Sequence, residues 1–218
     1  MTDSLKSVSE WYAKEESYEY MPDATKKGLK IWEREVISTF FPEGAHILVI
    51  GCGMGREIFP LYDMGFRVTG VDISEPVLAQ AIATAVETNR EIKFLQTNGL
   101  DLPFTDESFD VIIIWAQTYG LLYGGENKLH VLHECYRVLR EGGLLSFSGH
   151  DREYLETNYP QYLENGKFHA YSDCYWETFM LDEMSGTAEK SGFQVLSCLR
   201  GEVYTPEDGT ILHCVSRK

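Results

Sequence analysis

The chain is short of positive charge. Its 218 residues include 19 Lys and Arg against 34 Asp and Glu, which gives a formal net charge of −15 at pH 7. A field of that sign repels a phosphate backbone and weakens attraction to anionic surfaces. We therefore expect neither a nucleic acid nor a membrane to be a partner.

Other features that the sequence lacks narrow its class further. No apolar run approaches the length of a transmembrane helix, and residues 1–11 contain no apolar stretch of the kind found in signal peptides. The five cysteines are widely spaced and form no C-x-x-C pattern. These absences predict a cytoplasmic protein with reduced, mostly buried thiols. The cysteines concerned are Cys52, Cys135, Cys174, Cys198 and Cys214.

What the sequence does contain is ample material for a packed core. Apolar residues make up 44% and aromatic residues 13% of the chain, and its length suits one domain over residues 1–218. Helical and strand patterns alternate from residue 45 onward, which is typical of a parallel sheet covered by helices. We divide the chain into a helical cap (1–44), a binding core (45–148), an aromatic cap insertion (149–177) and a final helix with two strands (178–218).

Local signals place several helices. Ser74 and Pro76 together predict a helix start. The apolar residues of 24–40 fall at spacings of three and four and predict one amphipathic helix there. We expect another helix over 178–191, ending at Gly192.

The stretch around residue 50 predicts the start of a nucleotide-binding unit. Four apolar residues, Ile47 to Ile50, form a candidate buried strand, and Gly51, Gly53 and Gly55 follow directly. A second predicted strand ends in Asp72, 21 residues after Gly51. An acidic residue at this distance binds ribose hydroxyls in dinucleotide-binding folds, but the NAD fingerprint G-x-G-x-x-G would need a glycine where this chain has Arg56.

The G-x-G-x-G form followed by Asp72-Ile73 resembles motif I of the class I S-adenosylmethionine (SAM) methyltransferases. Residues 101–111 resemble the D-L-P-F-x-x-x-S-F-D-x-V signature of that superfamily, and residues 136–143 resemble its R-V-L-K-P-G-G motif. The resemblance implies a Rossmann-like, doubly wound α/β fold. Its seven-stranded sheet would be mostly parallel with an antiparallel last strand, and helices would cover both faces. It also implies SAM as the cofactor and a small-molecule methyl acceptor. We expect the protein to be a monomer or homodimer.

The resemblance further implies roles for individual residues. The glycines would let the backbone pass under the cofactor, Asp72 would accept the ribose hydroxyls, and Ile73 would pack on adenine. Asn98 would accept a hydrogen bond from the adenine amino group. The predicted cofactor-binding set is Gly51, Cys52, Gly53, Gly55, Asp72, Ile73, Asn98, Gly99, Trp115 and Gln117.

The residues that bind the methyl acceptor are predicted from their position in the fold. Ligands of open α/β sheets bind beyond the carboxyl ends of the strands, where His150 and Tyr119 are expected. His169 and Tyr171 lie in the aromatic cap insertion. We predict these four residues to bind substrate, with His150 and His169 as candidate catalytic bases, although simple packing would also account for them. Six acids against two bases in residues 150–178 favour a cationic or polar-neutral acceptor.

Three other interpretations compete with this one. His130 and His133 form an H-x-x-H pair beside Cys135, but no further ligands complete a zinc site, so we expect no metal. An NAD-dependent oxidoreductase would share the strand, glycine turn and acidic residue. A regulatory protein that binds SAM without turnover would share every motif, because no single residue proves catalysis.

Overall fold

The computed structural model describes residues 3–116, 118–169, 174–205 and 208–218. Within them the chain forms these strands: β1 (His46–Ile50), β2 (Arg67–Asp72), β3 (Lys93–Gln96), β4 (Phe109–Ile114), β5 (Leu139–Asp151), β6 (Leu163–Glu164), β7 (Lys167–Phe168), β8 (Trp176–Phe179), β9 (Gln194–Glu202) and β10 (Thr210–Arg217). The main sheet has the order β3-β2-β1-β4-β5-β10-β9. Strand β10 runs antiparallel to both neighbours, and the other pairings are parallel. This confirms the predicted seven-stranded Rossmann-like sheet.

Helices flank the sheet and close its end. Their bounds are α1 (Asp3–Trp11), α2 (Met21–Lys27), α3 (Ile31–Phe40), α4 (Ile58–Asp63), α5 (Glu75–Glu87), α6 (Thr118–Leu121), α7 (Gly125–Val138), α8 (Arg152–Asn158) and α9 (Leu181–Lys190). Among the described residues, no helix combines the length and the apolar character that crossing a membrane requires.

Two apolar cores form because successive strand residues face opposite sides of the sheet. Leu48 and Ile50 belong to the core under α7 and α9, whereas Ile47 and Val49 belong to the core under α3, α4 and α5. All four side chains are at most 2% exposed. A sheet that is buried on both faces leaves its strand ends as the place where a ligand can approach.

The N-terminal region departs from the predicted single helix over 24–40. The structure has two helices, α2 and α3, because Gly28 adopts a φ of +66° that ends the first one. The carbonyl oxygen of Gly28 accepts hydrogen bonds from Arg56 Nη1 and from the Tyr204 hydroxyl, each at 3.0 Å. The break between α2 and α3 is therefore stabilised by Arg56 and Tyr204, which are distant in sequence. The helical periodicity of residues 24–40 could not indicate these partners.

The predicted helix over 178–191 begins later than expected, because residues 176–179 form β8. Thr178 pairs with His150 of β5, and Trp176 pairs with Phe168 of β7. The Glu177 carboxylate also binds the buried Lys128 ammonium of α7. These contacts attach the small sheet β6-β7-β8 to the end of β5, where the sequence indicated only an irregular cap.

The expectation that all five cysteines are reduced is wrong for two of them. Cys198 and Cys214 lie directly opposite each other on β9 and β10 and form a disulfide, with Cα atoms 4.0 Å apart. The hairpin register brings together residues that are 16 positions apart in sequence. Cys52, Cys135 and Cys174 are free and buried, as predicted.

The close approach of β9 to α3 generates a stability prediction. A Cβ at Gly201 would lie 2.5 Å from Trp32 Cβ and 2.9 Å from His213 Cδ2. We expect Gly201→Ala to lower the free energy of unfolding by about 1–3 kcal/mol through overpacking. Gly186→Ala is the matched control, since no heavy atom lies within 4 Å of that Cβ in α9. It should raise stability by roughly 0.5–1 kcal/mol. Equal effects of the two variants in urea unfolding would contradict the packing.

Candidate active site

A cavity lies at the carboxyl ends of β1, β2 and β4, and it encloses about 980 Å³ of empty space including its open mouth. Its floor consists of the loops that follow these strands and β3, with Cys52, Gly53, Asp72, Asn98, Gly99 and Thr118 among the lining residues. Its roof is the N-terminal segment, which contributes Leu5, Val8, Tyr12, Tyr20, Met21 and Thr25. The cavity lies where α/β sheets bind their ligands.

Backbone hydrogen bonds fix the glycine loop against the end of β2. The N–H groups of Gly51 and Cys52 donate to Val71 O, at 2.8 and 3.0 Å. Gly53 N donates to Asp72 Oδ2 at 2.8 Å, and Ser74 N donates to Asp72 Oδ1 at 3.0 Å. Burial raises the pKa of Asp72, and these N–H donors oppose that shift. Each carboxylate oxygen retains a lone pair, so Asp72 has the capacity to accept two ribose hydroxyls.

The three glycines of the loop are needed for different reasons. A Cβ at Gly51 would lie 2.3 Å from Thr118 Oγ1, and one at Gly55 would lie 2.6 Å from Phe59 Cε2. The neighbour closest to a Cβ at Gly53 is Met21 Sδ at 3.8 Å. Protein packing thus demands Gly51 and Gly55, and only Gly53 keeps open space beside the cavity.

Asn98 lies at the cavity wall with its amide oxygen already engaged. That oxygen accepts from the N–H groups of Leu100 and Asp101, at 3.0 and 3.3 Å. Because backbone N–H groups donate only to the oxygen, the orientation of the amide is fixed. The side-chain nitrogen is left to donate, so Asn98 suits a ring nitrogen of adenine better than the amino group assigned to it from the sequence. Ile73 and Gly99 line the same end of the cavity.

Trp115 does not contribute its side chain to the cavity, which corrects the sequence assignment. It is 1% exposed, its ring packs on Phe41 with centroids 6.0 Å apart, and its Nε1 donates to Ser146 Oγ at 2.9 Å. The alternation of β4 turns it into the core. The next residue, Ala116, lines the cavity with a strained φ of +51°, a feature that clusters at functional sites. Gln117 lies outside the described residues.

Tyr119 is also a core residue rather than a cavity residue. It is 0% exposed and packs against Phe147 and Phe179, with ring centroids 4.9 and 5.1 Å away. The predicted contact with substrate therefore does not fit its position. The four-residue helix α6 carries it inward, whereas its neighbour Thr118 lines the cavity.

His150 and His169 lie in the cap, and neither is among the lining residues of the cavity. His150 has Phe168 and Trp176 beside it, at ring distances of 5.3 and 6.1 Å. Burial and then the Lys30 ammonium lower its pKa to about 3, so its imidazole is uncharged at neutral pH. His169 lies 5.4 Å from the Tyr175 ring. Tyr171, the fourth predicted substrate residue, lies outside the described residues.

The acidic residues of the cap that the structure describes do not form a cation site at the cavity. Asp151 and Glu153 both bind the Arg200 guanidinium, and Glu177 binds Lys128. Glu156 and Glu164 are exposed, and Asp173 lies outside the described residues. The described carboxylates are thus engaged by cations or directed to solvent, which removes the support for a cationic acceptor.

Residues that the sequence interpretation missed supply the roof and one wall. In the sequence, Arg56 marks the departure from the NAD fingerprint. In the structure it binds both Glu57 and Glu33 and lines the cavity together with Glu57. The aromatic residues near the N-terminus were a signal for Tyr12 and Tyr20. Nothing in the sequence indicated Glu33 as a partner of Arg56.

The cavity offers groups that a nucleoside with an amino acid portion could bind. Asp72 has hydrogen-bond acceptors, Asn98 has a side-chain donor, and Arg56 and Glu57 carry opposite charges. In the part of the chain that the structure describes, no three His, Cys, Asp or Glu residues are grouped as metal ligands would be.

Comparisons with known proteins agree with this geometry. Residues 47–143 match a family model described as a methyltransferase domain. A demethylmenaquinone methyltransferase from Tropheryma whipplei is 30% identical, over 72% of this chain and 70% of the relative.

Solved structures share the fold. A SAM-dependent methyltransferase from Methanosarcina mazei superposes with a TM-score of 0.71 at 23% identity, over 84% of this chain and 96% of the other. The Burkholderia thailandensis 1,6-didemethyltoxoflavin-N1-methyltransferase, solved with its substrate and S-adenosylhomocysteine, superposes with a TM-score of 0.72 at 17% identity. That match covers 99% of this chain and 88% of the other.

The lowered pKa of His150 predicts how stability responds to acid. The unfolded histidine takes up a proton near pH 6.5, whereas the folded one stays neutral until about pH 3. Stability is therefore lost as the pH falls below about 6.5, by up to about 1.4 kcal/mol per pH unit from this group. His150→Gln should flatten the dependence of the unfolding free energy between pH 6 and 4. Above pH 7 the variant and wild type should run parallel, and parallel curves at pH 5 would disprove the burial of a neutral imidazole.

Proposed function

Because the chain belongs to the class I SAM-dependent methyltransferases, we propose that it methylates a small molecule bound beside the cofactor in the roofed cavity. The observation that carries the proposal is the roof itself. The strand ends are covered by helices α1 and α2 and the turn between them. The Ser74 hydroxyl donates a hydrogen bond of 2.7 Å to Tyr12 O and so fixes the end of α1. A folded protein or nucleic acid strand would have to displace this segment, whereas a small acceptor would not.

The proposed work of the protein is binding, orientation and exclusion of water. SAM brings an already activated methyl group, so the difficult chemistry belongs to the cofactor. Asp72 would fix the ribose, and the glycine loop would support the chain beyond it. The roof would keep water from the reacting atoms and hold the acceptor in line with the methyl group.

The lining supports an uncharged acceptor with an apolar face. Five apolar side chains are among the lining residues: Leu5, Val8, Met21, Leu121 and Leu122. Asp72 is assigned to ribose, and the charges of Arg56 and Glu57 oppose each other. A cation or anion without a counter-charge would be costly to bury there.

Methyl transfer from labelled SAM tests the proposal directly. A cell extract is separated by ultrafiltration into metabolites and macromolecules, and each fraction is incubated with the protein and SAM carrying a labelled methyl group. We expect label in the metabolite fraction, and heat-inactivated protein gives the background. Label confined to proteins or nucleic acids would overturn the acceptor class. Absence of transfer to both fractions, with SAM binding intact, would favour the regulatory alternative.

The role proposed for Asp72 gives a binding prediction. Two hydrogen bonds from a carboxylate to ribose are each worth roughly 1.5–3 kcal/mol. Asp72→Ala should therefore weaken binding of S-adenosylhomocysteine by about tenfold or more in calorimetry. Asp63→Ala is the control, because Asp63 lies on the surface, bound to Arg90 at 2.7 Å and outside the cavity. Equal affinities of Asp72→Ala and wild type would remove the ribose assignment.

A further inference from the structure

Four charged side chains are buried together next to the glycine loop. Lys30, Glu33, Arg56 and Glu57 are 7%, 0%, 8% and 3% exposed. Arg56 binds Glu33 with two hydrogen bonds of 2.7 and 2.6 Å, and its Nη2 also binds Glu57. Buried ion pairs contribute little net stability, because desolvation offsets their attraction. Charges buried at a cleft are instead candidates for function.

The two carboxylates of this cluster differ in what they face. Both oxygens of Glu33 accept from Arg56, one of them also accepts from Lys30 N at 2.8 Å, and Glu33 is not among the cavity residues. Glu57 lines the cavity. Its carboxylate binds Arg56 and its own backbone N–H, and no other described side chain donates a hydrogen bond to it. A carboxylate has about four acceptor positions, so Glu57 has capacity left for a ligand.

The position of Glu57 in the cavity indicates which part of the cofactor it meets. Asn98 and Gly99 follow β3, on one side of Asp72, and β1 and β4 lie on its other side in the sheet. The glycine loop, whose Gly53 N–H is bound to Asp72, leads away from the end of β2 to Glu57 at the start of α4, and both carboxylates line the cavity. With adenine toward Asn98 and ribose at Asp72, the amino acid end of the cofactor extends toward Glu57.

We propose that Glu57 binds the α-ammonium group of the methionine portion of SAM, with Arg56 as the residue that positions its carboxylate. The inference rests on the proposed placement of the cofactor in this cavity. Burial raises the pKa of Glu57, and the Arg56 guanidinium counters that shift. Arg56 thus favours the ionised carboxylate, and the ligand's ammonium adds a second cation where burial alone would discourage the charge.

Two ligands that differ only at the amino acid end test the assignment. S-Adenosylhomocysteine carries the amino acid, whereas 5′-methylthioadenosine keeps the nucleoside and the thioether sulfur without it. Glu57→Gln should weaken binding of S-adenosylhomocysteine by about tenfold or more and leave 5′-methylthioadenosine within about twofold, as measured by calorimetry. Glu33→Gln is the matched control: it disturbs the same Arg56, but the ratio of the two affinities should stay that of the wild type.

Equal loss for both ligands in Glu57→Gln, no loss for either, or the same change of ratio in Glu33→Gln would overturn the assignment. The wild type gives an independent check if Glu57→Gln does not fold. An S-adenosylhomocysteine analogue with hydrogen in place of the α-amino group should bind about tenfold or more weakly than the parent compound. Equal binding of analogue and parent would also overturn the proposal. If the wild type binds neither nucleoside, the placement of the cofactor fails, and this inference fails with it.

Discussion

The hydrogen bond from Gly53 N–H to the Asp72 carboxylate is the constraint on which the site depends. It joins the loop after β1 to the end of β2 at 2.8 Å, and Val71 O accepts the two preceding N–H groups of the same loop. Charge-assisted bonds of this kind are stronger than neutral ones and fix geometry closely. The shape of the cavity floor is thus determined mainly by backbone groups, and it depends little on the surrounding side chains.

The roof depends on a different kind of interaction. Arg56 reaches from the start of α4 to Gly28 O and Glu33, and so fixes the break between α2 and α3. This break directs α2 over the cavity, where Met21 and Thr25 complete the lining. A continuous helix over 24–40 would carry these residues elsewhere. The same guanidinium therefore shapes the cavity at two places: through Gly28 at the roof and through Glu57 at the wall.

Local signals predicted the parts of this molecule that local forces determine. The Ser74 cap is present, with Ser74 Oγ accepting from Val77 N, and the antiparallel last strand agrees with the family resemblance. Trp115 shows where such signals fail. The rule that ligands bind at strand ends places it near the cavity, but the alternation of side chains and a bond to Ser146 turn it into the core. A shift of one residue along a strand turns each side chain to the opposite face of the sheet. No sequence motif indicates which face a given residue occupies.

The count of acidic and basic residues in the cap was a poor guide to the acceptor for a related reason. The segment is acidic in sequence, yet Arg200 of β9 takes up two of its carboxylates and Lys128 of α7 takes up a third. These cations lie 47–49 residues away along the chain, so the composition of the segment does not include them.

The electrostatic field that a ligand meets depends on the charges that line the cavity and on their partners. At this cavity Asp72 is held by N–H groups alone, whereas Glu57 shares the Arg56 guanidinium with Glu33. A net charge of −15 is thus represented at the site by two carboxylates of the cavity lining, Asp72 and Glu57. Their positions suit a ligand with hydroxyls near Asp72 and an ammonium near Glu57.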